Sequence, residues 1–228
     1  MLQNILGLDA RRQRMLGKAP YGPLREFLSV PFPDRDLKID KTPILAVDFE
    51  TTGLDPAKDQ ILSVGFISME QNEIMLSSAY HQIIRAHGDL KEDNVVIHQI
   101  TDSAKEQGAL LEKVVADLLA ALAGKVMLVH FAHIEKNFLE RACKQLYGMA
   151  PVFPIIDTLA IAKKRLDKKG LPYLPGELRL SSLRNAHNLP LHYPHNALND
   201  ALATAELLMA EVESMWFEQS PTLKSLLS

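Results

Sequence analysis

Residues 44–53, ILAVDFETTG, form an apolar run that ends in two acids, two threonines and a glycine. The β-branched and aromatic residues of this run predict a buried strand that stops at the turn-forming residues. Because side chains alternate between the faces of a strand, Asp48 and Glu50 share one face. Buried like charges persist only with hydrogen bonds, bound protons or a cation. The pair is therefore either an ordinary solvated strand end or a site for a hard divalent cation such as Mg²⁺ or Mn²⁺, which prefers oxygen ligands.

The pattern around this strand predicts an α/β fold. Two further β-rich runs follow, at 60–68 and 73–84, and the short turn at 51–59 favours antiparallel pairing of the first two strands. Beyond them, apolar residues at helical spacing alternate with brief apolar runs. This half predicts helices at 111–122, 134–148 and 197–216, another helix after 158, and short strands at 125–130 and 154–158. Antiparallel strands followed by alternating helices and strands indicate a mixed sheet flanked by helices.

The composition indicates a globular protein in a reducing compartment. The chain has 228 residues, 47% hydrophobic and 23% charged, so it can bury a core and is neither disordered nor fibrous. The single cysteine, Cys143, excludes an internal disulfide and a cysteine-rich zinc module, and its helical surroundings predict a buried, inert thiol. No apolar run approaches the ~20 residues that span a bilayer, so we expect a cytoplasmic protein without membrane contact. The formal charge of −3 differs from the basic footprint of a protein that holds nucleic acid by charge alone.

Three regions are expected along the chain. Residues 1–42 carry eight Lys/Arg against five Asp/Glu, together with four prolines, and form a basic N-terminal extension. This extension either packs across the back of the main domain or acts as an arm that touches substrate or a partner. Residues 43–217 hold the alternating pattern and form the main domain, and residues 218–228 form a C-terminal tail.

Two later segments bring polar residues towards the same edge of the predicted sheet. Asp200 falls in the first turn of the last predicted helix, and His195 stands just before it, where an imidazole could act as a general base. His192, three residues earlier, is the histidine most easily confused with it. Glu135 begins a helix directly after a buried strand, which brings its carboxylate to the edge that holds Asp48. The ordinary interpretations are a surface histidine and an acid that favours a helix N-terminus.

Together these segments resemble the DEDDh family of 3′–5′ exonucleases, the group that contains ribonuclease T and the epsilon subunit of the bacterial replicative polymerase, DNA polymerase III. The resemblance covers about residues 43–212. The motifs that carry it are DFETTGL (48–54), IHQIT (97–101), IDTL (156–159) and His195-x4-Asp200 before an alanine-rich helix. It implies a ribonuclease H-like fold, in which three antiparallel strands are followed by parallel strands and helices flank the sheet.

The resemblance also implies a cofactor and a catalytic centre. The cofactor would be two divalent cations per site, Mg²⁺ or Mn²⁺, which stabilise the attacking and leaving oxygens of an in-line displacement. The metal ligands would be four acids, Asp48, Glu50, Glu135 and Asp200. His195 would act as the general base. All five residues are therefore expected to be catalytic.

The middle motif departs from the family pattern. Alignment on Phe138 and the leucine after it puts Glu135 where the family has Asp, and Phe131 where it has Asn. A glutamate can ligate the same ion, because the metal needs carboxylate oxygens, so Glu135 is the expected third ligand. His133 is the alternative, although imidazole suits softer metals better than Mg²⁺.

Candidate substrate-binding residues surround this centre. By resemblance, the terminal nucleotide would be met by four consecutive residues and one histidine, Thr51, Thr52, Gly53, Leu54 and His98. A packing role is the alternative for His98. A basic cluster on the helix after 158 would contact backbone phosphates, or else form an ordinary solvated face. Its members are Lys163, Lys164, Arg165, Lys168 and Lys169.

We therefore expect an enzyme that removes nucleotides from the 3′ end of single-stranded DNA or RNA. The alternative, motivated by the irregular middle motif, is a catalytically weak or silent relative that binds nucleic acid or a partner. The sequence does not separate DNA from RNA, because that choice depends on contacts to the 2′-hydroxyl. The sequence does not decide the oligomeric state, and a homodimer is compatible with it. A freestanding enzyme is expected rather than a polymerase-tethered subunit, because only a short stretch follows Trp216.

Overall fold

Five strands and eight α-helices make up the part of the chain that the computed structural model describes, residues 7–85, 106–170, 172–215 and 219–227. The strands are β1 (Ile44–Thr51), β2 (Ile61–Glu70), β3 (Glu73–Ile83), β4 (Val126–Val129) and β5 (Ile155–Asp157). The helices are α1 (Leu8–Leu16), α2 (Pro23–Ser29), α3 (Leu111–Leu122), α4 (His133–Tyr147), α5 (Thr158–Lys169), α6 (Leu180–Ala186), α7 (Ala197–Met215) and α8 (Leu223–Leu226).

The strands form one mixed sheet in the order β3-β2-β1-β4-β5. β1 pairs antiparallel with β2, and β2 with β3, whereas β4 runs parallel to β1 and β5 runs parallel to β4. Short turns suffice for the first three strands, while the last two are each reached through a helix, as parallel neighbours require. The prediction of an α/β fold with three antiparallel strands followed by parallel strands is confirmed.

The two faces of the sheet are covered by different helices. One face packs on the alanine-rich side of α7, and the other packs on α2, α3 and α4. The buried residues of the α7 side are Ile39, Ile44, Ala46, Ile67, Met69, Val126, Leu128, Ile156, Ala201, Ala205, Leu208, Leu223 and Leu226. Asp48 and Glu50 follow Ile44 and Ala46 in the two-residue period of β1, so they belong to the α7 face of the sheet.

The described part of the N-terminal extension packs on the main domain. The buried side chains of α2 are Leu24, Phe27 and Leu28, which join the core on the α3 side. The C-terminal tail runs beside the extension, since the N–H of Ile39 donates to the carbonyl of Pro221 over 2.9 Å. The N–H of Leu223 likewise donates to the carbonyl of Leu37 over 2.9 Å. The two ends of the described chain therefore stabilise each other.

Cys143 is fully buried on α4 and belongs to the core shared with α2 and α3. Burial raises the pKa of its thiol to about 12, which fits the inert cysteine expected from the sequence. Among the helices of the described ranges, none is both long enough and apolar enough to cross a membrane.

Candidate metal centre and active site

Three carboxylates meet where β1 passes the start of α7. Asp48 and Glu50 lie on β1, and Asp200 lies in the first turn of α7. One oxygen from each carboxylate lies within 4.8 Å of the other two. Glu50 is buried, while Asp48 and Asp200 are partly buried. The structure thus brings together three of the four predicted acids, at a separation that one cation could bridge.

Gly65 permits this meeting. It is the register partner of Asp48 across β1 and β2. A Cβ added to Gly65 would lie 2.2 Å from the carbonyl carbon of Ala197 and 2.2 Å from the nitrogen of Leu198. The first turn of α7 therefore rests directly on the backbone of β2, which keeps Asp200 close to Asp48. Gly65 lies outside the motifs that predict the site, although a glycine inside a strand is a sign of close backbone approach.

Burial and repulsion raise the pKa values of these acids. Burial raises the pKa of Asp48 well above its usual value, and the neighbouring negative charges, led by that of Glu135, raise it further. Burial also raises the pKa of Asp200 to about 6, against the hydrogen bond from the backbone of His195. Both shifts favour the protonated forms of Asp48 and Asp200, whereas a divalent cation would favour their ionised forms.

Glu135 lies beside this group without belonging to it. It lies in the first turn of α4, is 3% exposed, and is outside the set of acids whose oxygens approach within 4.8 Å. Burial raises the pKa of Glu135 to about 8, although a backbone hydrogen bond from Phe49 opposes the shift. Its Oε2 has no hydrogen-bond partner among the described residues. The alternative ligand, His133, is exposed, and its Nδ1 lies 3.0 Å from the side-chain amide of Asn137.

Asp157 fixes the turn that leads to Glu135. Its carboxylate caps α5 by accepting two backbone hydrogen bonds from the first turn of that helix. The same carboxylate accepts hydrogen bonds from the N–H groups of Phe131 and Ala132, both over 3.0 Å. Asp157 thus anchors the start of α4, whose own cap residue, Ala132, makes no side-chain hydrogen bond. Asp157 belongs to the IDTL motif, and an Asp before a helix is a signal of N-capping that the sequence provides. Its hydrogen bonds to the turn before α4 could not be predicted in this way, because they form only when β5 pairs with β4.

Two histidines flank Asp200. The backbone N–H of His195 donates to Oδ2 of Asp200 over 2.9 Å, and His195 is exposed with φ at +68°. Nε2 of His192 lies 3.1 Å from Oδ1 of the same carboxylate. Burial, followed by the charge of Arg184, lowers the pKa of His192, and this shift favours the neutral imidazole. The backbone of His195, the expected general base, therefore contacts the Asp200 carboxylate. The ring of His192, the histidine most easily confused with it, contacts the same carboxylate.

Arg184 connects α7 to the loop between α6 and α7, which carries His192 and His195 and is called the histidine loop below. Its side chain is 3% exposed on α6. Nη1 donates to the carbonyl of Ala203 over 2.8 Å and lies 2.7 Å from a carboxylate oxygen of Glu206. Nη2 donates to the carbonyl of Pro190 over 2.9 Å, in the loop that leads to His195. The sequence carries no signal for this role, because two of the three partners are backbone carbonyls.

The turn after β1 is held in shape by its own side chains. Oγ1 of Thr51 donates to the carbonyl of Gly53 over 2.7 Å, and Oγ1 of Thr52 lies 3.2 Å from Oδ1 of Asp59. A Cβ at Gly53 would lie 2.5 Å from the Asp59 carboxylate, so a larger residue there would displace that side chain. Leu54 is 71% exposed at the tip of this turn. The turn therefore presents an apolar side chain to solvent close in sequence to the acids of β1.

The basic cluster on α5 is partly neutralised within its own helix. Nζ of Lys163 lies 2.8 Å from a carboxylate oxygen of Asp167. Lys164 is exposed, while Arg165 is partly buried. The remaining predicted contact residue, His98, lies outside the described residues, as does the whole of 97–101.

Comparison with known proteins identifies the family. The model of the RNase T exonuclease family matches residues 45–208. The chain belongs to this exonuclease family. The exonuclease domain is 30% identical over 182 residues to DNA polymerase III PolC-type of Thermotoga petrophila, a match that covers 79% of this chain and 12% of that protein. It is also 30% identical over 189 residues to the 3′-5′ exonuclease DinG of Staphylococcus haemolyticus, covering 81% of this chain and 20% of DinG.

The family and enzyme class predicted from the motifs are therefore confirmed. The exonuclease chain spans no more than about a fifth of the length of the two relatives named above. Solved structures agree on the fold. The nuclease domain of 3′hExo, a DEDDh family member bound to rAMP, superposes with a TM-score of 0.65 at 14% identity, over 81% of this chain and 98% of that one. E. coli exonuclease I in complex with a dA16 oligonucleotide superposes with a TM-score of 0.64 at 16% identity, over 81% of this chain and 42% of that one.

The exonuclease centre fits divalent cations. Its candidate ligands are all carboxylates, the donors that hard cations prefer. Burial is the main cause of the raised pKa values of Asp48 and Asp200, and a bound cation would favour the ionised form of both. The buried Oε2 of Glu135, with no hydrogen-bond donor in the described part of the chain, is a further oxygen that a cation could satisfy.

Proposed function

We propose that this chain is a metal-dependent 3′–5′ exonuclease that hydrolyses phosphodiester bonds at the 3′ end of single-stranded nucleic acid. The observation that carries the proposal is the approach of Asp48, Glu50 and Asp200 within 4.8 Å in a member of an exonuclease family. The name of the DinG relative, a 3′-5′ exonuclease, supports the direction of cleavage.

Each acid and histidine has a role in this proposal. The ligands of two divalent cations, Mg²⁺ or Mn²⁺, would be Asp48, Glu50, Glu135 and Asp200. Bound there, the cations would stabilise negative charge on the attacking and leaving oxygens. His195 would accept the proton of the attacking water, and its backbone hydrogen bond to Asp200 keeps the residue at the centre. Arg184 would hold the loop that carries His195 against α7.

The substrate would approach across the turn after β1. The terminal nucleotide would contact Thr51, Thr52, Gly53 and Leu54, with His98 as a further wall of the base pocket. Backbone phosphates would contact Lys163, Lys164 and Arg165. E. coli exonuclease I has been solved with a dA16 oligonucleotide and 3′hExo with rAMP, which supports a single-stranded substrate of either sugar type.

Other properties remain predictions from the sequence. These are the division into 1–42, 43–217 and 218–228, the cytoplasmic location, the open homodimer and the freestanding role.

The proposal is tested by digestion of matched 5′-labelled single-stranded DNA and RNA oligonucleotides with Mg²⁺ or Mn²⁺. We expect a ladder that shortens from the 3′ end with at least one sugar type, and its loss in Asp200→Ala. Glu213→Ala removes an exposed acid from the same helix and serves as the matched control. No shortening with either ion, or shortening that survives Asp200→Ala, contradicts the enzyme. Binding without shortening would favour the silent relative.

A further inference from the structure

Phe131 combines exposure with an unfavourable backbone conformation. It lies in the turn between β4 and α4, and 43% of its surface is exposed, although most large apolar residues near this turn are buried. Its φ is +76°, the left-handed region that aromatic residues rarely occupy. Neither property contributes to the stability of the fold. Strained residues of this kind persist where the surrounding structure holds them, and they concentrate at functional sites.

The strain is maintained by buried contacts of the backbone. The N–H of Phe131 donates to Oδ1 of Asp157 over 3.0 Å, and its carbonyl accepts from the N–H of Ile134 over 3.2 Å. The ring itself lies 5.8 Å from the ring of the exposed His133, at an interplanar angle of 35°. Hydrogen bonds therefore fix the backbone of Phe131, while its ring remains exposed to solvent.

Phe131 lies four residues before Glu135. The turn that holds it leads directly into the first turn of α4, where Glu135 is 3% exposed. Asp157, whose carboxylate accepts the hydrogen bond from Phe131, accepts a second from Ala132 and so fixes this turn at the end of β5, beside β4. The exposed ring therefore belongs to the segment that positions the remaining candidate ligand.

The charge around the centre limits how a polyanion can bind there. Three acids meet at the centre, and Lys163, one of the residues proposed to contact phosphates, lies 2.8 Å from Asp167. Contacts that do not depend on charge would therefore add to those that cations and basic residues supply. Nucleobases offer such a contact, because every base has an aromatic face and stacking on protein aromatics is tolerant of sequence.

We propose that the ring of Phe131 stacks on a nucleobase of the single-stranded substrate and so sets its position at the acidic centre. This assignment rests on the proposed exonuclease function. It makes Phe131 a substrate-contact residue at a position where the family motif has an asparagine.

The first test measures binding of a 5′-fluorescein-labelled twelve-nucleotide thymidine oligomer by fluorescence anisotropy, with Ca²⁺ as the divalent cation. Phe131→Ala should raise Kd by about 5- to 150-fold, which corresponds to about 1–3 kcal/mol for loss of one base–aromatic stack. Phe131→Trp should keep the affinity of the parent protein, since indole also stacks. Tyr21→Ala removes an aromatic side chain that is 93% exposed in the N-terminal extension and is the matched control. Loss of the ring should leave the salt dependence of binding unchanged, because no counterion-releasing contact is removed.

The second test locates the base. Oligomers with one abasic site at successive positions from the 3′ end should show one position at which the parent protein loses affinity and Phe131→Ala loses none further. Such non-additivity indicates a direct contact between ring and base. Additive losses at every position, or equal Kd values for Phe131→Ala and the parent, overturn the proposal. Both outcomes are read from binding alone, so they are distinct from failure of the exonuclease, which would appear as intact oligonucleotide in the digestion assay.

A third measurement separates contact from folding. Phe131→Gly relieves the backbone strain and removes the ring, so its thermal midpoint should equal or exceed that of the parent while its Kd rises as in Phe131→Ala. A Phe131→Gly protein with lower thermal stability and unchanged Kd would show that the ring serves packing, and the proposal would be wrong.

Discussion

Gly65 lies opposite Asp48 in the antiparallel register of β1 and β2, and the backbone of α7 occupies the space that a Cβ of Gly65 would fill. Side chains of paired residues lie on the same face of a sheet, so the gap left by Gly65 is adjacent to the Asp48 carboxylate. The first turn of α7, which carries Asp200, enters that gap. The separation of the two acids therefore depends on a missing side chain.

Gly65→Ala should disrupt the centre. The added methyl group meets backbone atoms that cannot rotate away, so α7 must shift by more than an ångström at its start. We expect a loss of about 1–3 kcal/mol in the free energy of unfolding and a fall of about 100-fold in kcat/KM. Denaturant unfolding and the digestion assay measure the two effects. Gly176→Ala is the control, because a Cβ there meets nothing within 4 Å. Equal activity of the two variants would contradict this account.

The elements of the fold could be predicted from local patterns, whereas the relations between them could not. The apolar period identified β1 and α7, and the motifs identified Asp48, Glu50 and Asp200, because each signal lies within a few residues. The contacts of Arg184 with Pro190 and of Asp157 with the α4 turn involve backbone groups, which carry no residue identity. Such contacts require the sheet order and the loop path to be known first.

Glu135 should be as important as Asp200 if it is the remaining ligand. Glu135→Ala should lower kcat/KM by about 100-fold or more, as Asp200→Ala should, because a cation would lose one of its oxygens. Glu135→Asp keeps the carboxylate and should retain measurable activity. Glu140→Ala changes another acid of α4 and provides the comparison. An active Glu135→Ala enzyme would mean that the motif is wrongly aligned and that another residue, with His133 the first to examine, completes the site.

Asp48→Asn should separate stability from function. Burial and neighbouring acids raise the pKa of Asp48, so the neutral amide relieves repulsion in the metal-free protein. We expect this protein, measured in EDTA, to gain about 1 kcal/mol in stability. Addition of Mn²⁺ should raise the thermal midpoint of the parent, because a ligand that binds the native state stabilises it, and should barely move that of Asp48→Asn. An equal Mn²⁺-dependent shift in both proteins would exclude Asp48 as a ligand.

Arg184 should act on catalysis through the histidine loop. Arg184→Ala removes the buried guanidinium that joins the carbonyls of Ala203 and Pro190, at a cost of about 2–3 kcal/mol of stability. A lysine keeps the charge but lacks the planar fork that joins both carbonyls, so Arg184→Lys should be intermediate. We expect kcat to fall more than KM rises, because the substitution displaces His195 and leaves the residues that contact the nucleic acid in place. The exposed Arg179→Ala is the control. A change in KM alone would assign Arg184 to substrate binding.

Glu211 should make the stability of the protein depend on pH. It is fully buried on α7, and neither carboxylate oxygen has a hydrogen-bond partner among the described residues. Burial raises the pKa of Glu211 to about 8, although the charge of Arg165 opposes this shift. The folded protein therefore holds a proton that the unfolded chain releases above its ordinary pKa of 4.5. By linkage, the contribution of Glu211 to stability falls as the pH rises from about 4.5 to about 8.

Glu211→Gln keeps the shape of the side chain and removes this titration. At pH 5 the variant and the parent should unfold at similar denaturant concentrations, and at pH 8 the variant should be more stable by about 1–3 kcal/mol. The difference between variant and parent isolates Glu211 from the acids around Asp48, because the titration of those acids is common to both proteins. Glu213→Gln, an exposed acid on the same helix, should show no such pH-dependent gain. If the gain of Glu211→Gln is the same at pH 5 and pH 8, Glu211 is ionised in the folded protein, and a donor for its carboxylate must be sought.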